Sequence, residues 1–178
     1  MFSDFNRYKK PSTGIVGLIV PILNPMFWAI FIYRLANFFY KIKLYPLSKL
    51  FQLVNFFLFK VEINFRSTIK KGFKINHGIG TVIGGGATIG ENVTVFQGVT
   101  IGGNMGKMKI VNKKKVTQPI IEDGAIIGPY AQILGPVTIG ENSHVAAHTI
   151  VTKDIPSNTI VFGNPNQYKQ RLERKRKI

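Results

Sequence analysis

An aliphatic residue returns every six positions through the middle of the chain, at Ile83, Ile89, Val95 and Ile101, and again at Ile121, Ile127, Ile133, Ile139, Val145 and Val151. Glycine follows many of them (Gly84, Gly90, Gly102, Gly128, Gly140), so the unit reads Ile-Gly and then four further residues. The same beat starts earlier, at Ile63, Ile69 and Ile75, and the step from Ile75 to Ile83 carries two extra residues. A period of six matches neither an amphipathic helix, about 3.6, nor a strand, about 2, so these positions are not one face of either element. They fit a solenoid. Each unit is then a short strand plus a turn, with the aliphatic side chain on a common axis and the small residue after it letting the backbone bend. The predicted fold is mainly β, with one continuous Ile and Val column inside.

The first sixty residues are patterned differently and hold 15 of the 21 aromatic residues. No charge falls between Lys10 and Arg34, a span long enough to cross a bilayer, but Pro21, Asn24 and Pro25 interrupt it. A secretory signal fits poorly, because the apolar run is too long and lacks a small-residue cleavage site. The stretch after it mixes apolar groups with Arg34, Lys41, Lys43, Lys49 and Lys60, as two or three helices broken near Pro46 would. Helices this aromatic must cover their faces with the solenoid, a neighbouring subunit or lipid. The organisation expected is therefore a basic helical segment at 1–60, a β-helix at 61–165 with a loop at 103–119, and a basic tail at 166–178.

Formal net charge is +16, which favours an anionic partner: nucleic acid, membrane, cofactor or acceptor. Lysines cluster at Lys107, Lys109, Lys113, Lys114 and Lys115, and the tail carries Lys169, Arg171, Arg174, Lys175, Arg176 and Lys177. No nucleic-acid-binding motif accompanies them, which leaves solvated runs, coenzyme phosphates or a lipid surface. The absence of cysteine excludes a disulfide framework, a thiolate nucleophile and sulfur-bound metal, and is compatible with a reducing compartment.

The hexapeptide repeats, the segment INHGIGTVIG at 75–84, VFQGVTIGG at 95–103 and the closing TKDIPSNTIVFGNP at 152–165 resemble the left-handed parallel β-helix acyltransferases. Among these the chain is most similar to serine acetyltransferases and their relatives in polysaccharide gene clusters. The resemblance covers about residues 30–165 and keeps the family's motif order. It implies acetyl-CoA as cosubstrate, no metal, a trimer with sites shared between subunits, and a cytoplasmic location with the inner face of the membrane left open.

His77 is the candidate general base, lying in the expanded step where the regular coil breaks. An imidazole titrates near neutrality, so it can take a hydroxyl proton and return it to a leaving thiolate. The resemblance gives the histidine at this place that role. The family has an aspartate where this chain has Glu62, which implies an orienting carboxylate with one extra methylene. Asn76, Gln97 and Gln118 are the candidate acceptor-binding residues, and the resemblance implies the cofactor along Gly103, Pro129, Ala146 and Ala147, with Lys153 and the basic tail as candidates for its phosphates. His144 and His148 lack an apparent third ligand, which argues against a zinc site of the γ-carbonic-anhydrase kind.

Twenty residues separate Ile101 from Ile121 without a hexapeptide pattern, and a long loop in a compact repeat protein is commonly functional. Serine acetyltransferases carry Arg-His-Pro at its end to hold the amino acid, whereas this chain has Thr117-Gln118-Pro119. Threonine cannot replace a guanidinium on a carboxylate, while Gln118 can hydrogen-bond a neutral hydroxylated ligand. The expected activity is therefore O-acetylation of a sugar or surface polysaccharide. Serine is the alternative acceptor, and a scaffold without activity is the non-enzymatic one.

Overall fold

The computed structural model describes residues 2–9, 14–111 and 114–170. Four helices come first: α1 (Phe2–Asn6), α2 (Gly14–Leu23), α3 (Pro25–Lys41) and α4 (Tyr45–Phe59). The chain breaks at Asn24, whose side chain caps α3 by accepting from the Met26 N–H at 2.9 Å, with Pro25 in the first turn. Pro46 likewise sits in the first turn of α4, so the break between α3 and α4 falls just before it. Among the described residues no helix is long and apolar enough to cross a membrane.

Parallel β-strands then wind into a three-sided solenoid. One side stacks β1 (Glu62–Ile63), β4 (Val82–Ile83), β7 (Thr100–Gly102), β12 (Gln132–Leu134) and β15 (Ile150–Val151). The second stacks β2 (Thr68–Ile69), β5 (Thr88–Ile89), β10 (Ile120–Ile121) and β13 (Thr138–Ile139). The third stacks β3 (Lys74–Asn76), β6 (Thr94–Phe96), β11 (Ile126–Ile127), β14 (His144–Val145) and β16 (Thr159–Phe162), and β17 (Gln167–Gln170) adds to it antiparallel. The register aligns the hexad residues coil on coil, as Ile75 on Val95 and Val95 on Ile127. Two residues before each lies a second inward row of smaller or varied side chains, including Val61, Ser67, Thr81, Ala87, Ala125 and Thr149, all fully buried. The intervening residue points outward, as strand alternation requires.

Among the described residues the first coil has no strand beneath it, and side chains of the N-terminal segment take the place of one. The Tyr8 hydroxyl donates to the Ile75 carbonyl and accepts from the Ile75 N–H, both at 2.9 Å. Burial pushes that phenol far above its usual pKa, so it stays protonated and able to do both. Tyr33 donates to the Ser67 carbonyl, and Arg34 to the Ile69 and Lys70 carbonyls. Asp4, 1% exposed, accepts from the Phe73 N–H and from Arg34.

Helix α4 has its polarity reversed. Ser48, Gln52 and Asn55 are buried, Asn55 donating to the Ala29 carbonyl at 3.0 Å, while Leu47, Leu50, Leu53, Phe56, Phe57 and Leu58 are exposed. A further departure concerns the long loop, which holds a β-hairpin of β8 (Lys109–Val111) and β9 (Lys114–Val116). Lys113 and the tail residues Arg171, Arg174, Lys175, Arg176 and Lys177 lie outside the described residues.

Candidate active site

The corner after β3 departs from every other corner on its side. Asn76 lies on Phe96, yet the backbone link to the coil above is made by Ile79, whose carbonyl accepts from Gly98 as that of Gln97 accepts from Tyr130. The two residues in excess are His77 and Gly78, both with positive φ, 63° and 44°. A side chain with a Cβ rarely adopts this conformation, and here it turns the imidazole out of the stack. Gly78 is required behind it, because a Cβ there would come within 2.0 Å of Met26 Sδ.

His77 is exposed on a cleft of about 420 Å³ lined also by Asn76, Ile79, Leu58, Lys60 and Met26. The elements that build it are the end of α4, the start of α3 and the expanded corner. Lys60 is the left-handed cap of α4, φ 55°, and its carbonyl accepts from the Gly80 N–H, which fixes it directly below the corner. Among the described residues it is the one permanently charged residue in the lining, which includes no carboxylate. Glu62 opens β1, exposed, in register with Val82 one coil above. Among the described residues no hydrogen bond joins Glu62 to His77.

Gln97 and Pro129 occupy the matching corner in the next two coils, and Ala146 and Ala147 that of the coil after, so these predicted residues form a line rising from the His77 corner. Lys153 is exposed near the top of the stack. His148 stacks on Tyr130 with ring centroids 5.0 Å apart, and among the described residues no cluster of three potential metal ligands occurs.

Gly103 and Gln118 lie elsewhere. Together with Thr117, Lys107 and Lys115 they line a cleft of about 490 Å³ that shares no residue with the His77 cleft. The Gln118 side chain folds back over glycines: a Cβ on Gly103 would come within 2.7 Å of its Nε2, and one on Gly84 within 3.2 Å of its Oε1. Among the described residues the buried Oε1 atoms of Gln118 and Gln97 have no hydrogen-bond partner. Lys60 is the residue that sequence reasoning missed, since its place in the cleft depends on where α4 stops.

The fold and these corners define a hexapeptide-repeat β-solenoid with an acyltransferase-like histidine corner. A family profile described as "Bacterial transferase hexapeptide (six repeats)" matches residues 118–153. The serine acetyltransferase of Bacillus pumilus is 43% identical over 139 residues, 78% of this chain and 61% of its own length. That of Synechococcus elongatus is 34% identical over 151 residues, covering 85% and 59%. The structure of soybean serine acetyltransferase complexed with serine superposes with a TM-score of 0.81 at 31% identity, covering 94% of this chain and 67% of that one. The Brucella abortus serine acetyltransferase in complex with coenzyme A gives 0.83 at 28%, covering 97% and 67%. The chain belongs to the hexapeptide-repeat transferase family. It spans about three fifths of the length of the curated relatives it matches.

These similarities overturn the expectation of a sugar or polysaccharide acceptor, because the relatives on both measures are serine acetyltransferases. The physical reason is the placement of Gln118. Its side chain packs onto Gly84 and Gly103, in a cleft that within one chain is separate from that of His77, so it is not the free hydrogen-bonding group on which the sugar reading rested.

Proposed function

We propose that the chain transfers the acetyl group of acetyl-CoA to the side-chain hydroxyl of serine. The observation that carries this reading is the two-residue expansion that turns His77 onto a cleft, in a chain whose relatives are serine acetyltransferases. His77 takes the hydroxyl proton as the serine oxygen attacks the thioester carbonyl. The tetrahedral intermediate collapses, the C–S bond breaks, and the imidazolium returns the proton to the departing thiolate, giving O-acetylserine and coenzyme A. Lys60 is the cation available to the serine carboxylate, and Asn76 offers hydrogen bonds beside it. Glu62 is the positioning residue for the imidazole, reached by movement of its side chain when the site fills.

His77 and Gly103 line separate clefts of one solenoid, so a site using both takes the second cleft from another copy, and the assembly is a homotrimer. The Gly103 cleft, with Lys107 and Lys115, suits an anionic cosubstrate. The test is thiol release from acetyl-CoA with L-serine. His77→Ala should lose roughly 1,000-fold in kcat, and Lys60→Met should raise KM for serine roughly tenfold or more. Folded His77→Ala protein with near wild-type transfer would sink the mechanism, as would wild-type protein inert toward serine. Mixed trimers of His77→Ala and Gly103→Trp chains should regain activity that neither has alone.

A further inference from the structure

Among the described residues the outer face of α4 has no partner. It places Leu47, Leu50, Leu53, Phe56, Phe57 and Leu58 in water and buries Ser48, Gln52 and Asn55, the reverse of a helix that packs by its apolar side. Exposed Lys41, Lys43 and Lys49 stand at the α3–α4 turn and the start of α4, and Lys60 caps its far end. No acidic residue occurs between residues 5 and 61. We propose that this face lays the protein on an anionic lipid surface, with the leucines and phenylalanines entering the headgroup boundary and the lysines reaching the phosphates.

Charge decides between lipid and another copy of the chain. Residues 1–60 carry eight Lys and Arg against Asp4 alone, and residues 61–165 carry ten against six acids. A second copy docked face to face through α4 would bring these lysines together, and juxtaposed like charges oppose that pairing, unlike the trimer contact, which joins two different clefts. An anionic bilayer supplies both the apolar medium and the counter-charge. The helix lies on the surface rather than crossing it: fifteen residues extend about 22 Å, short of the bilayer core. Leu58 belongs both to this face and to the lining of the His77 cleft, so the docked face adjoins the site.

The test is flotation of the full-length protein with vesicles of phosphatidylcholine alone or mixed with phosphatidylglycerol. The expected result is flotation with the anionic vesicles, weakened by salt. L50S/F57S, which changes only exposed positions, should abolish it at unchanged Tm and unchanged activity. K41Q/K43Q/K49Q should weaken partitioning roughly 100-fold. Absence of flotation, or wild-type flotation by L50S/F57S, overturns the proposal. So does a larger assembly without lipid, seen by light scattering and dissolved by L50S/F57S, since that assigns the face to a second copy.

Discussion

Adding one methyl group at Gly78 tests whether the His77 corner is held by the packing beneath it. The backbone there has φ 44°, and Gly78→Ala brings a Cβ to 2.0 Å from Met26 Sδ and 3.1 Å from Ile75 Cγ2. A non-glycine residue in the left-handed region costs about 1–2 kcal/mol. Met26 is 7% exposed and also borders the His77 cleft, so its thioether must shift toward that cleft and disturb the corner's packing, and overpacking adds about 1–3 kcal/mol. A total near 3 kcal/mol should lower Tm by roughly 10 °C at fixed protein concentration. The corner that yields is the one carrying the imidazole, and a displacement of about 1 Å there should reduce kcat for serine acetylation roughly 100-fold. Met26→Ala in the Gly78→Ala background removes the collision while leaving the backbone strain, so kcat should recover at least tenfold with little gain in Tm. Gly78→Ala protein with kcat within twofold of wild type would refute the reasoning.

Three further outcomes follow from other contacts. Asp4→Ala should cost about 3 kcal/mol in chemical denaturation, the low end for a broken buried ion pair because the Arg34 side chain keeps 24% of its surface in water. Gly140→Ala, whose Cβ would sit 2.4 Å from the Ser157 N and 2.7 Å from the Pro156 carbonyl carbon, should destabilise by about 3 kcal/mol, whereas Gly102→Ala, with nothing within 4 Å, should be near neutral in the same Tm measurement. Burial alone would raise the Asp154 carboxyl, but hydrogen bonds from Lys109 and the Thr138 N–H outweigh it and leave the pKa lowered. The tether from Lys109 in the β8–β9 hairpin to Asp154 is thus complete above the unfolded value of about 3.9 and is lost as pH falls through the lower folded value. Hydrogen exchange in residues 109–111 should accelerate in Asp154→Asn at neutral pH, and in the wild type relative to that variant only at the acid end.

The solenoid was legible because every coil repeats one demand, a branched aliphatic side chain on the axis, and Ile and Val meet it at thirteen positions. The second inward row escaped notice because Ser67, Thr81 and Ala87 share size rather than hydrophobicity. His77 stood out as a break in the count, and the break is where the backbone leaves the stack. The cleft around it was not legible, since Lys60 reaches it only through the left-handed end of α4. The β8–β9 hairpin was hidden by its lysines, which read as a solvated run. The acceptor was not legible because the sequence offers Gln118 as a free hydrogen-bonding group for a hydroxylated ligand, and the fold packs its side chain onto Gly84 and Gly103.

Covering groups stand at both ends of the β-stack, on the third side alone at the top. Below, Tyr8, Tyr33, Arg34 and Asp4 occupy backbone groups that a further strand would seek, and above, β17 runs antiparallel to the strands it covers. A parallel solenoid with open ends is a template for end-to-end growth into fibres. The residues that seat the helices therefore also keep the protein a particle of fixed size, and a chain stripped of α1 and α3 would leave the first coil's edge open to strand pairing with another chain.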